Sequence, residues 1–262
     1  MSLLTLSFLQ TPLHWENAEA NREMFAQKIA ALPATHWIIL PEMFNTGFTM
    51  NPHEFAETMD GATVAWMREQ SYAKKAVICG SIPVEEEGVY YNRLIWMLPN
   101  GEYGYYDKRH LFAFAGEHRE YSPGARRLVA RINGFRILLL VCYDLRFPVW
   151  SRQQQKQNGP EYDILLYVAN WPERRSHAWR TLLQARAIEN QCYVVGVNRI
   201  GEDGNGISHS GNSMVVDMQG EILCEFVNEE MVHTLTLERT QLDNARSKFP
   251  FLADGDDFTV YH

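Results

Sequence analysis

The segment LLTLSFLQ (3–10) alternates apolar Leu4, Leu6 and Phe8 with polar Thr5, Ser7 and Gln10, the two-residue period of a strand. From Glu16 to Leu32 the period lengthens. Ala18, Met24, Phe25 and Ile29 fall at helical spacing, and Pro33 stops the run. HWIILPEM (36–43) is a short apolar stretch closed by proline, which predicts a buried strand. The helical pattern returns over 61–74, and AVICGSIPV (76–84) predicts another strand. The opening therefore reads β-α-β-α-β, with near-continuous apolar strands of the kind covered on both faces.

The rhythm then changes to hairpins. NRLIWMLPNGEYGYYDK (92–108) is strand, turn and strand, and RLVARINGFRILLLVCYD (127–144) repeats this around Asn133-Gly134, a strong two-residue hairpin signal. A helix is expected near 147–157, a strand over DILLYVAN (163–170), a helix across 176–190 and a strand over CYVVGVNRI (192–200). SMVVDMQGEILCEF (213–226) predicts a further hairpin and MVHTLTLE (231–238) a last strand. No internal repeat, linker or shift in composition divides the chain. The pattern predicts one α/β domain over 1–262 with mixed strands. Its charged, proline-broken tail (239–262) is either an arm that packs on a neighbouring subunit or a loose end.

Composition narrows the function classes. Hydrophobic residues make up 46% and charged residues 21%, as in ordinary soluble domains. With 32 acidic against 24 basic side chains the net charge is −8, which argues against nucleic acid as a partner. The N-terminus lacks a basic segment with a cleavage site, and no apolar run is long enough to span a membrane. Cysteines 79, 142, 192 and 224 lie far apart, without zinc spacing. Free thiols and a cytoplasmic location are expected. HExxH, GxSxG and phosphate-binding glycine loops are absent from the sequence.

In α/β sheets, functional side chains collect at the carboxyl ends of strands. Those ends offer Glu42, Lys108, Cys142, Asn170 and Trp171. Taken singly, Glu42 reads as a cap, Lys108 as part of an exposed polar cluster, and Cys142 as a packed core thiol. Taken together they form a chemical set. A thiol needs a base near neutral pH, which Glu42 supplies, and an attacked carbonyl needs positive charge at its oxygen, which Lys108 supplies. His110 and His118 stand near Lys108 in sequence as outer groups. Arg146, four residues past Cys142, would share its face if a helix starts there, and a guanidinium fork suits a substrate carboxylate.

LPEMFNTGF (40–48), YDKRHLF (106–112), GEHREYSPG (116–124) and VCYDLRFP (141–148) occur in the order of the glutamate, lysine, accessory-glutamate and cysteine motifs of the nitrilase superfamily of carbon–nitrogen hydrolases, which the chain resembles over almost its full length. The resemblance implies a four-layer αββα sandwich with two mixed sheets and outer helices, paired into homodimers. It also implies a Glu42–Lys108–Cys142 triad with Glu117 as accessory glutamate, and no metal or organic cofactor. Tyr143 would lend its backbone N–H to the oxyanion, and Arg146 and Trp171 would bind substrate. The narrower likeness, carried by CYDLRFP and HLFAF, is to ω-amidases, which hydrolyse the terminal amide of 2-oxoglutaramate or 2-oxosuccinamate. The loop NWPERRSHAW departs from many of these, placing Trp171-Pro172 and Arg174-Arg175-Ser176 where they carry a Phe-Asn pair and a Gly-Pro step. The alternatives are an amidase acting on an N-carbamoyl acid or deaminated glutathione, and a catalytically silent binding protein on the same fold.

Overall fold

The structure is a computed structural model that describes residues 2–156 and 159–260. The chain forms strands β1 (Leu3–Gln10), β2 (Trp37–Ile39), β3 (Val77–Glu86), β4 (Val89–Met97) and β5 (Tyr103–Asp107), followed by β6 (Val129–Ile132), β7 (Phe135–Val141), β8 (Gln155–Lys156) and β9 (Gly159–Pro160). Next come β10 (Ile164–Ala169), β11 (Tyr193–Asn198), β12 (Ile200–Glu202), β13 (Ser208–Val216), β14 (Ile222–Val227) and β15 (Met231–Glu238). The helices are α1 (Ala18–Ala30), α2 (Pro52–Phe55), α3 (Ala62–Lys74), α4 (Glu117–Glu120), α5 (Pro148–Ser151), α6 (Ser176–Asn190) and α7 (Arg239–Lys248).

One sheet runs β15-β1-β2-β3-β4-β5 and the other β12-β13-β11-β10-β7-β6, with β14 beside β13. Parallel pairing joins β1, β2 and β3, and again β7, β10 and β11, because helical crossovers connect them or return to them. The hairpin strands add antiparallel edges. This is the four-layer sandwich. Phe25 and Ile29 of α1, with Val64 and Met67 of α3, cover the outer face of the first sheet through Ile38, Ile78 and Ile95. A continuous inner core joins Leu6, Phe8, Trp37 and Ile39 to Leu139, Leu166 and Val195 of the second sheet, and extends to Trp179 and Leu183 of α6 on its far side.

The alternation in β1 has a specific use. Its polar positions do not face open water but pair across β15: Ser7 Oγ lies 2.7 Å from Thr234 Oγ1 and Thr5 Oγ1 lies 2.9 Å from Thr236 Oγ1. The β6–β7 turn has Asn133 at φ 46° and Gly134 at φ 80°, the two left-handed residues of a tight hairpin.

One expectation changes. The helix near 147–157 is only α5, four residues long. Beyond it Arg152 turns extended, and the backbone N–H of Gln153 bonds Asn190 Oδ1 at 3.0 Å, a tertiary contact that replaces a helical one. Residues 157–158 lie outside the described residues. Within the tail, residues of 239–260 touch their own chain. Leu242 is buried, Arg239 and Arg246 of α7 reach the buried Asp163, and Gln154 Nε2 bonds the carbonyl of Phe258.

Candidate active site

Four chain segments meet where the two sheets face each other. Glu42 lies in the turn that follows β2 and Pro41. Lys108 is the first residue past β5, held by its backbone N–H to Asn92 O at 3.0 Å and by its carbonyl to the Gly124 N–H at 3.0 Å. Gly124 admits no side chain, since a Cβ there would stand 2.0 Å from the Asp107 carbonyl oxygen. Glu117 opens α4 directly after Gly116, whose φ of 84° turns the chain inward. Cys142 follows β7 directly and opens the next turn with φ 45°, a left-handed conformation uncommon for a non-glycine residue.

The charged groups are fully buried and interlocked. Lys108 Nζ lies 2.8 Å from Glu42 Oε1 and 2.9 Å from each oxygen of Glu117. Asn92 Nδ2 donates to Glu42 Oε1 at 2.8 Å and to Glu117 Oε1 at 3.2 Å. The other Glu42 oxygen accepts the Asn170 backbone N–H at 2.7 Å, and Phe112 N–H donates to Glu117 Oε2 at 2.5 Å. Burial alone would strip Lys108 of its charge, but Glu117 and Glu42 more than offset this and raise its pKa. Burial raises the Glu117 pKa, with Lys108 opposing and the Glu42 charge adding to the rise. Two carboxyl groups thus share one ammonium beside the sulfur.

Burial and these neighbours together set the state of the Cys142 thiol. Burial, and next the Glu42 carboxylate, push the thiol well above its ordinary pKa, with Lys108 opposing. At neutral pH the sulfur therefore carries its proton, and the nearby carboxylate is poised to receive it. The turn after Cys142 is a 3-10 helix over Cys142–Arg146 and is pinned by Asp144. One Asp144 oxygen accepts Val141 N–H at 3.0 Å and Tyr106 O–H at 2.7 Å. The other accepts His110 N–H at 3.0 Å and contacts His110 Nδ1 at 2.8 Å. Asp144 thereby ties the lysine segment to the cysteine turn.

The sulfur opens into a pocket with an internal volume of about 160 Å³. Tyr143, Arg146 and Trp171 line it, as does Asn170, while Glu42, Lys108 and Glu117 lie behind its wall. Arg146 reaches it differently from the helical expectation. In a 3-10 turn position i+4 stands about 120° round from position i, so Arg146 lies at the exposed rim. Its guanidinium carbon is 4.9 Å from the ring centre of Trp171. Trp171 is buried, donating Nε1–H to Arg175 O at 2.8 Å.

Sequence reasoning missed Asn92, Asp144 and Phe48, whose ring centre lies 5.1 Å from Lys108 Nζ. Asn92 had a signal: a lone amide inside an apolar strand. Asp144 and Phe48 had none beyond lying next to motif residues. His118 is exposed, whereas His110 is held at the cysteine turn by Asp144. Among the described residues, no group of His, Cys, Asp and Glu is placed to hold a metal ion. No helix among them is long and apolar enough to cross a membrane.

Comparison with known proteins agrees with this geometry. The chain is 45% identical to a protein named omega-amidase YafV from Yersinia enterocolitica, over 99% of this chain and all of that one. It is 30% identical to a 2-oxoglutaramate amidase of Bacillus subtilis, over 83% of each. The crystal structure of XC1258 from Xanthomonas campestris, a CN-hydrolase superfamily protein with an arsenic adduct in its active site, superposes with a TM-score of 0.97 at 42% identity and full coverage of both chains. The family model for carbon-nitrogen hydrolases matches residues 6–246. The chain belongs to the carbon–nitrogen hydrolase family of the nitrilase superfamily.

Proposed function

We propose that this protein is an ω-amidase, releasing ammonia from the terminal amide of 2-oxoglutaramate or 2-oxosuccinamate and leaving the 2-oxo dicarboxylic acid. The observation that carries the reading is the convergence of Glu42 and Lys108 behind Cys142 at the floor of a small pocket rimmed by arginine. Full-length likeness to proteins named for ω-amide hydrolysis supports the substrate class.

In the proposed mechanism Cys142 Sγ attacks the amide carbon as its proton passes to Glu42, so the thiolate never accumulates. The carbonyl oxygen becomes an oxyanion held by Lys108 and the Tyr143 N–H. Two of the three ammonium N–H groups suffice for Glu42 and Glu117, which leaves the third for the oxyanion. Loss of such a donor typically costs about 3–4 kcal/mol of transition-state stabilisation. Protonated Glu42 then returns its proton to the departing nitrogen as the C–N bond breaks, which leaves a thioester and free ammonia. Glu42 next takes a proton from water as its oxygen attacks the thioester; the C–S bond then breaks, and Glu42 passes the proton to the sulfur, which frees the acid and restores the Cys142 thiol. Glu117 holds Lys108 in place and keeps it charged. Arg146 and Trp171 bind the remainder of the substrate. The reaction uses no metal or organic cofactor, and the protein works as a cytoplasmic homodimer.

Ammonia release by purified protein tests the reading. Turnover of 2-oxoglutaramate well above that of glutamine or an N-carbamoyl amino acid is the expected result. Carbon dioxide appearing together with ammonia from the carbamoyl compound, at a higher rate, would replace the reading with that of a carbamoylase.

A further inference from the structure

The loop after β10 carries a guanidinium that the catalytic array does not use. Arg175 ends a short 3-10 turn over Glu173–Arg175 and lines the pocket that opens on Cys142. Its Nη1 is buried and has no hydrogen-bond partner. Its guanidinium carbon lies 5.2 Å from the ring centre of Phe112 and 5.3 Å from that of Phe114, so aromatic faces grip the side chain. Its own carbonyl is fixed by the Trp171 indole. This is a positioned donor.

The charges around it show what is missing. Arg146 and Arg174 line the same pocket, and the carboxylate among the lining residues is Asp203, whose Oδ1 is engaged by the backbone N–H groups of Asn205 and Ile207. Burial, followed by the charges of Arg174 and Arg146, lowers the Arg175 pKa, as expected for a cation whose neighbours are cations. A guanidinium nitrogen buried without a partner is costly unless an acceptor joins it, and among cationic neighbours an anion serves best. Arg146 by contrast is exposed at the rim and stacks on Trp171.

We propose that Arg175 is the specificity-determining residue that selects an anionic substrate, its fork taking the carboxylate at the far end of the molecule from the scissile amide. Phe112 and Phe114 belong to the segment between Lys108 and Glu117, so the residue that grips the anion packs on the segment that carries the catalytic ammonium. The inference rests on the acid-amide reading above and adds the residue that makes the charge matter.

Two measurements test it. The first compares kcat/KM for 2-oxoglutaramate with kcat/KM for the uncharged pentanamide in wild type, Arg175→Gln and Arg175→Lys. The ratio is expected to fall at least tenfold in Arg175→Gln, about 1.4 kcal/mol, through KM for the charged substrate. Lysine should recover part of it, keeping the charge without the fork. Added salt should erode the wild-type ratio more than that of the glutamine variant. An equal loss on both amides, or an unchanged ratio, overturns the proposal.

The second is calorimetric binding of 2-oxoglutarate to the same proteins, with affinity at least tenfold weaker in Arg175→Gln, about 1.4 kcal/mol. Equal binding overturns the proposal and leaves the ω-amidase reading intact. Arg175-dependent binding by a wild type that shows no preference for the charged amide does the reverse. If the glutamine variant fails to fold, the lysine variant carries both comparisons.

Discussion

Replacing Glu42 with glutamine separates two properties that a simple catalytic dyad would couple, the reactivity of the thiol and the turnover of the enzyme. Glutamine keeps the shape but cannot take the proton from Sγ or return it to nitrogen. Loss of a positioned acid–base group lowers kcat by roughly 10²–10⁴, about 3 to 5 kcal/mol. The structure adds a second cost. Glu42 Oε1 accepts from Lys108 and Asn92 while Oε2 accepts from the Asn170 N–H, so an amide whose oxygen faces Lys108 turns its NH2 toward another donor at 2.7 Å. An unsatisfied buried donor costs about 1–3 kcal/mol, so the melting temperature should fall as well. The thiol moves the other way. After burial, the Glu42 charge is the next cause of the raised Cys142 pKa, and its removal leaves Lys108 acting with less opposition. The sulfur of Glu42→Gln should therefore ionise at lower pH. Iodoacetamide should alkylate it faster than wild type at pH 7, while ammonia release from 2-oxoglutaramate nearly vanishes. Alkylation that slows in step with turnover would refute this reasoning, because Glu42 would then be sustaining a resting thiolate.

Three further outcomes follow from the same contacts. Cys142→Ala should lose about 10³-fold or more in turnover while melting close to wild type, since it removes the nucleophile but no charge or strong hydrogen bond; residual activity of a tenth would contradict the assignment. Lys108→Met should lower kcat at least about 100-fold more than it raises KM, and should cost about 3–5 kcal/mol of stability by leaving Glu42 and Glu117 buried together without a cation. In that variant burial and the Glu42 charge, which already raise the folded Glu117 pKa, act without Lys108 to oppose them, so the stability Glu117 contributes is fully present below its unfolded value and is lost as pH rises. Its deficit against wild type in thermal melts should shrink on acidification from pH 7 to 5. Asp163→Asn should loosen the tail: although burial works the other way, Arg136 first and then Arg246 hold the Asp163 pKa below its usual value, so its contribution is present above the unfolded value and lost as pH falls. Its three arginine partners are part-exposed, which limits the cost to about 2–3 kcal/mol, and limited proteolysis within 239–260 should accelerate.

The strands and long helices were legible because burial on both faces leaves long apolar runs and because Pro33, Asn133-Gly134 and similar breaks punctuate them. Helix α1, helix α6 and strand β15 match their expected spans to within two residues. Glu42, Lys108 and Cys142 stood out as candidates because three separate strand ends offer a carboxylate, an ammonium and a thiol, a joint set that core packing alone does not call for. What stayed hidden depends on tertiary pairing. The polar segment SRQQQKQ (151–157) carries no local signal that Gln153 and Gln154 bond Asn190 and Phe258, so a helix seemed its natural state. Asp144 reads as one more polar residue in a turn, yet its two oxygens collect four contacts from three segments. Arg175 and Arg174 are indistinguishable as letters; only the fold shows that an Arg175 nitrogen is buried without a partner while Arg174 is exposed.

The covalent intermediate is the central claim, and intact-protein mass spectrometry after rapid acid quench tests it most directly. Wild type mixed with excess 2-oxoglutaramate should show, within the first turnover, a mass increase equal to 2-oxoglutarate less water, located on the peptide that contains Cys142. The adduct should be absent from Cys142→Ala, and hydroxylamine should remove it as the hydroxamate. Ammonia released in the first turnover without any such adduct, or an adduct on another residue, would contradict the account.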